Sequence, residues 1–160
     1  MAWRVTDLVG VDITKVYTTA EYTLGQRCTA RDTVSDTIGE FIFLKGVGST
    51  VVGSWVLISY ADHTTTLLAD GDIGPVGIAM ALTVASTYGW YQTRGKGAGL
   101  LVASVGDNAG LYTNATAGSA GATGTGLSEI QTARAAAASG SGGVTAVEID
   151  QPRVGLSAAA

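Results

Sequence analysis

The sequence predicts a mainly β protein, a small antiparallel β-barrel or sandwich with glycine-rich turns, little helix and an extended N-terminal arm. Three observations carry this expectation. Short apolar runs of strand length recur about every ten residues with turn residues between them, the spacing of sandwiches and barrels. Glycine, at 23 residues, and Ala, Thr, Ser and Val dominate the composition, a mix that favours strands and tight turns over long helices. Charged residues make up 14% of the chain against 46% apolar ones, well below the charged share of about a quarter usual in soluble domains. A surface so poor in charge packs against other surfaces or carries many small neutral residues.

The length of 160 residues suits a single domain, or a domain plus an arm, and is enough to bury a core without disulfides or metals. Residues 1–20 read as the arm. Trp3, Val5, Leu8, Val11, Ile13 and Tyr17 are its candidate contact residues. The apolar positions keep neither helical nor strand spacing for long, and Gly10 interrupts them. Two placements stay open: a first strand of the domain, or an extended arm that finds its partner on another chain. A tryptophan in an arm needs a pocket, and an interface is a natural place for one. The β domain is expected over 21–155, with 156–160 a tail that frays.

Within that domain, residues 21–30 alternate roughly and lead to a polar turn at 31–37. Glu40 to Lys45 (EFIFLK) is an apolar, aromatic run with the mark of a core strand. Val51 to Ser59 is another strand, with Gly53 a candidate turn or bulge. Asp70 to Pro75 (DGDIGP) is a strong turn cluster, and Val76 to Val84 is a further apolar run. Tyr88 to Gly95 is an aromatic strand expected to close at a Gly95-Lys96-Gly97 turn, with Leu100 to Val105 as the next strand. Residues 116–126, almost only Ala, Gly, Ser and Thr, bury little area and predict a loose loop. Ser128 to Ser139 is ambiguous. Ser128 and Gln131 have capping-box spacing and the alanines favour helix. The Ser-Gly-Ser-Gly-Gly run at 139–143, followed by Val144 to Ile149, instead favours a hairpin with 130–137 as partner strand.

Few residues invite chemistry. His63 is the single histidine and lies in a polar stretch between strands, so it reads as a solvated loop residue; a catalytic triad needs a nucleophile, a base and an orienting acid together. One histidine and one cysteine, Cys28, cannot by themselves make a zinc site. Cys28 reads as a small, semi-buried side chain on a strand. Asp70-Gly71-Asp72 lacks the order of a calcium loop. Gly89 to Gly97 has the wrong spacing for a phosphate loop, has glycine after Lys96, and carries bulky strand-forming residues between. Asn114-Ala115-Thr116 fits a glycosylation sequon by chance. No cofactor and no metal are expected. The net charge of −4 is scattered and no Lys/Arg run is present, which argues against nucleic acid and against a membrane surface as partner. A lone thiol and the absence of an apolar leader after Met1-Ala2-Trp3-Arg4 fit synthesis in a reducing cytoplasm.

Several segments, in order, resemble phage proteins that decorate or cement the capsid. They are Tyr22-Thr23-Leu24-Gly25, Gly39 to Leu44 and Val52 to Val56; then Val76 to Ala79 and Tyr88 to Gly95; then Gly106-Asp107-Asn108 with Leu111-Tyr112 and Thr116-Ala117-Gly118; last Val147 to Pro152. Each is a common word of glycine-rich β proteins, and the order is more specific than any of them. The resemblance spans most of 22–152 and leaves out the first 20 residues and the 116–128 loop beyond Gly118. It implies a non-enzymatic virion protein, made in the host cytoplasm and carried on the outer capsid surface. Its partner would be the major capsid protein, which it would bind as a homotrimer to bridge capsomers against the pressure of packaged DNA. Removing residues 1–20 would then leave a folded domain that no longer binds shells. Two other classes remain in view. A phage tail, fibre-associated or adhesin-like β module would show a coiled coil or repeats, and neither heptads nor a repeat period is visible. A small β-barrel enzyme would assemble its site between subunits.

Overall fold

A computed structural model describes residues 2–122 and 127–155. Among the described residues the fold has ten strands and no helix: β1 (Trp3–Val5), β2 (Arg27–Asp32), β3 (Ile38–Lys45), β4 (Trp55–Ser59), β5 (Thr64–Leu67), β6 (Gly74–Ala79), β7 (Tyr88–Leu101), β8 (Gly110–Tyr112), β9 (Glu129–Ala135) and β10 (Gly143–Val154). The protein is mainly β, as its composition predicts. The strands form one mixed sheet in the order β1-β2-β3-β5-β4-β6-β7-β10-β9-β8, with β3 also paired to β7 and β6 to β10. The β3–β7 pairing brings the sheet back on itself, so β3, β5, β4, β6 and β7 form a ring. One contact in the ring, Lys45 with Thr64, is parallel; the other strand pairings are antiparallel.

Side-chain alternation sorts the ring strands into an inside and an outside. Ile42, Leu44, Val56, Ile58, Ala79 and Tyr91 meet inside. Their neighbours point outward: Phe41, Phe43 and Trp90 into one cluster, Trp55 and Ile78 into another. Successive side chains of a strand leave opposite faces. Both faces are buried here, which explains why these strands read as near-continuous apolar runs rather than alternating ones.

Each outer cluster has its own cover. Residues 3–24 lie over Phe41, Phe43 and Trp90. Of the two placements open to this segment, the structure takes the first strand: β1 pairs with β2, Trp3 opposite Asp32 and Val5 opposite Ala30. Further on, Tyr17 and Tyr88 exchange backbone hydrogen bonds of 2.9 and 2.8 Å. Residue 20 is thus no boundary in the packing, since one cluster draws on both sides of it. Strands β8 to β10 cover the other cluster, placing Leu111, Ile130, Ala133, Ala135, Val147, Ile149 and Val154 over Trp55 and Ile78.

Four local expectations are revised. The Gly95–Gly97 turn is instead a corner inside one long strand, β7, whose first half pairs with β3 and β6 and whose second half pairs with β10. Gly95 has φ +102, and a Cβ there would run into the carbonyl of Ile38. The run from Val76 leaves the sheet after Ala79, and Leu82 and Val84 are exposed. Thr64–Leu67, not anticipated as a strand, pairs with β4. The loop after Thr116 is not loose over its described part. Ala120 accepts from Val102 N–H and donates to Leu100 O, Gly118 O accepts from Trp55 N–H, and Ser119 and Ala120 are buried. Small residues are what permit this close approach: a Cβ on Gly118 would sit 3.0 Å from Leu67 Cδ2. Residues 123–126 of that loop and the 156–160 tail lie outside the described residues. The 128–139 ambiguity resolves as the hairpin, with β9 paired to β10.

This packing changes what truncation tests. Ile13 and Tyr17 are each only 2% exposed, so deleting residues 1–20 uncovers three buried aromatics. The truncated chain is expected to melt far below the full chain and to bind a hydrophobic dye, and Ile13→Ala alone to cost about 3 kcal/mol in a denaturant titration. A truncated chain with an unchanged melt would contradict the lid role of this segment.

Candidate functional site

The aromatic end is a structural nucleus. Trp3 stands edge-on to Phe41 at 5.1 Å, and Tyr22 touches Tyr17, Phe43 and Trp90 with centroids between 5.3 and 5.4 Å. Such pairs add to plain area burial. The six arm residues singled out from the sequence are all brought together here. Ile13 and Tyr17 are buried, Trp3, Val5, Leu8 and Val11 are half-buried against them, and every one packs on its own chain.

Asp32 ties this segment down. It is fully buried and accepts from Ala2 N–H at 2.7 Å, Val34 N–H at 3.2 Å, and the Ser35 hydroxyl and N–H. The Ser35 hydroxyl bond, aided by these backbone amides, holds its carboxyl at about 2, below the ordinary 3.8. Cys28, on β2, is buried in the same cluster. Burial, with the Asp7 carboxylate nearby, pushes its thiol up to about 12, so it stays a protonated, apolar filler.

His63 is half-exposed at a turn with φ +55. Its backbone carbonyl accepts from Lys45 N–H, and its ring lies against Gly25. Asp70 to Asp72 forms the expected turn, in which Ala69 N–H donates to Asp72 Oδ2 at 2.9 Å. Among the described residues no group of His, Cys, Asp and Glu is placed to hold a metal ion.

Two surfaces away from the aromatic end differ in chemistry. The first is an open groove of about 760 Å³ lined by Thr37, Ile38, Arg94, Lys96, Arg134 and Ile149, among others. Its charges are largely partnered. Arg94 bridges Glu40 at 3.3 Å and Asp150 at 3.1 Å, and Arg134 holds Glu148 through two nitrogens. These exposed pairs fix side-chain positions more than they add stability. Beside the groove the β9–β10 ladder breaks between Ile149 and Arg153. Thr132 and Gln151 there have φ +61 and +48. A β-branched residue in that region is strained, and Thr132 is held by its hydroxyl bond to Asp150 O at 2.7 Å.

The second surface lies where β7 ends and β10 begins. Gly53 is its hub: its N–H donates to Ala79 O and its carbonyl accepts from Leu100 N–H. Around it Val51, Val52, Leu82, Val84 and Val144 are 41–56% exposed. Reasoning from sequence missed this surface, because its exposed residues come from three separate segments. The available signal was the set of charge-free stretches 46–61, 73–93, 97–106 and 135–147.

No protein-family model, curated protein or solved structure matches this chain.

Two measurements check the chemistry of the anchored segment. A carboxyl whose folded value is depressed stabilises the fold fully above about pH 4 and loses that effect as pH falls toward about 2. The stability gap between the protein and Asp32→Asn should therefore be largest at neutral pH and close over that window in denaturant titrations; a gap independent of pH would refute the anchor. Cys28 should resist a thiol reagent at about pH 8 in the native protein and react fully once denatured, whereas rapid native labelling would place it at the surface.

Proposed function

We propose that this chain is a capsid decoration protein. It binds the outer surface of a phage capsid, cements neighbouring capsomers and stabilises the shell against internal DNA pressure. Its partner is the major capsid protein, and it acts as a homotrimer on the virion after synthesis in the host cytoplasm. The observation that carries this reading is the ordered series of decoration-protein motifs in the sequence. They fall in turn on the Tyr22–Gly25 brace under Phe43, on β3, at the start of β4, and on β6, β7 and β10. These include four of the five ring strands and one strand of the cover.

Physical support comes from the surface. A cement must hold two things at once, its own copies and the shell, through contacts that are modest singly and strong when multiplied. The chain offers two unlike faces for this: a groove with paired charges around Arg94 and Arg134, and a neutral apolar end around Gly53. The first 20 residues, packed on their own chain, supply the frame rather than the grip.

Electron microscopy of the full chain mixed with empty capsids of its cognate major capsid protein tests the reading. Regular knobs at repeated positions on the shell are expected. Bare shells at saturating protein concentration would reject decoration and favour a tail- or fibre-associated module.

A further inference from the structure

Strand β10 changes partner along its length. Asp150 ends its pairing with β7, opposite Arg94, and Arg153 begins its pairing with β6, opposite Pro75. A recess of about 360 Å³ opens at this crossing, lined by Arg27, Tyr60, Val76, Thr93, Pro152 and Arg153 among others. Arg27 reaches it from the start of β2. It stands opposite Ile42, whose side chain lies inside the ring, and residues opposite each other in a sheet share a face. The Arg27 guanidinium donates to the Tyr60 hydroxyl at 3.2 Å. Arg27, Tyr60 and Arg153 are exposed, while Val76 and Pro152 are buried and give the recess an apolar wall.

The charge of this recess is uncompensated. No Asp or Glu lines it, and among the described residues neither Arg27 nor Arg153 has an ion-pair partner. Carboxylates close by are engaged elsewhere. Asp62, just after Tyr60, accepts from the Thr64 N–H and hydroxyl. Asp150, next to Gln151, and Glu40, whose carbonyl accepts from the Thr93 hydroxyl, both hold Arg94. The groove around Arg134 differs, because there each arginine has its carboxylate. Two guanidinium groups in one recess repel each other, and an anion between them turns that repulsion into attraction. Their planar forks match the oxygens of phosphate and carboxylate. A hydroxyl that accepts from Arg27 keeps its own proton, so Tyr60 supplies one more donor. Charge separates the two ligand classes: a carboxylate neutralises one arginine, whereas a phosphate group near neutral pH carries close to two negative charges. We propose that this recess binds a phosphate group, held by Arg27, Arg153 and the Tyr60 hydroxyl. Its volume is that of a small-molecule pocket, so either free phosphate or a small phosphate ester can enter. The proposal does not rest on shell binding.

The test is titration calorimetry of the full chain with inorganic phosphate, in chloride buffer at constant ionic strength. Arg27→Gln, Arg153→Gln and Tyr60→Phe are compared with it, each checked for an unchanged circular dichroism spectrum and melt. Lys96→Gln, which removes a cation from the groove instead, is the control. Saturable binding of one phosphate per chain is expected. Each arginine variant should weaken it about tenfold, and Tyr60→Phe, which removes a donor but no charge, about fivefold. Lys96→Gln should leave it unchanged. Glycerol phosphate and succinate complete the series. Tighter binding of glycerol phosphate than of phosphate assigns the site to an ester, and the reverse order assigns it to the free ion; either upholds the proposal. Heat that never saturates with phosphate overturns it, as does undiminished binding by the folded arginine variants. An equal loss in Lys96→Gln would reveal general charge attraction, and succinate binding as tightly as phosphate would reveal a carboxylate site; each of these also overturns it.

Discussion

The corner in β7 is the constraint on which the rest of the structure depends. One strand serves both halves of the molecule, closing the ring against β3 and β6 and then leaving it to pair with β10. Straight, it could do only one of these. Gln92 fills the inside of the corner. It is fully buried and its side-chain N–H groups donate to Arg94 O and Lys96 O, at 3.0 and 3.2 Å. These two bonds tie the buried amide to the backbone on both sides of the bend. Glycine is required on both sides of the bend. A Cβ on Gly97 would collide with the Gln92 amide, and Gly95 passes close to Ile38 and Gly39 of β3. From the outside Gly53 ties the second half of β7 to β6 by bonding to Leu100 and Ala79.

Once the ring closes, burial follows from the period of two. Inward positions fill the ring with branched chains and Tyr91, whose hydroxyl reaches Thr83 at 3.1 Å. Outward positions are also large and apolar, so the ring cannot face water on either flank. The N-terminal segment covers one flank and the β8–β10 strands the other. This explains why a chain with so little charge has a well-packed interior: much of its apolar content lies in two outer clusters as well as the inner one. Most of the charge is left to turns, loops and the solvent-facing sides of a few strands, as at Arg94, Arg134 and Glu148.

The legible part of the fold was the part governed by local pattern. The aromatic run that became β3, the turn at Asp70 to Asp72 and the 130–149 hairpin could each be read from a few neighbouring residues. The illegible part depended on tertiary contact. Gly95-Lys96-Gly97 carries the composition of a turn, and only the presence of β3 on one side and β10 on the other makes it a bend in a continuing strand. Residues 3–17 have no clean period because they drape over a curved sheet rather than form one regular element, with Ile13 and Tyr17 filling gaps between aromatic rings. The Ala/Gly/Ser stretch near 118–121 looked too small to pack, yet smallness is what lets its backbone lie against Trp55 and Leu100. The Gly53 surface was hidden for a different reason: three segments far apart in sequence each contribute only one or two of its exposed residues.

Ring closure has one more effect, on how the molecule behaves in a crowd. An open sheet of ten strands would present two long rows of unpaired amides, and such edges recruit other chains into aggregates. Here most of the strands are paired on both sides by the ring and by the β6–β10 contact. The outermost strands, β1 and β8, are three residues each, and Tyr112 of β8 exchanges two further backbone bonds with Gly121. Arg4 and Arg31 stand as neighbours across the β1–β2 pair, placing positive charge beside the remaining edge. A chain with 46% apolar residues and a net charge of only −4 has little electrostatic repulsion to keep its copies apart. Geometry therefore guards against edge-to-edge pairing, since little strand backbone among the described residues is left to template a neighbour.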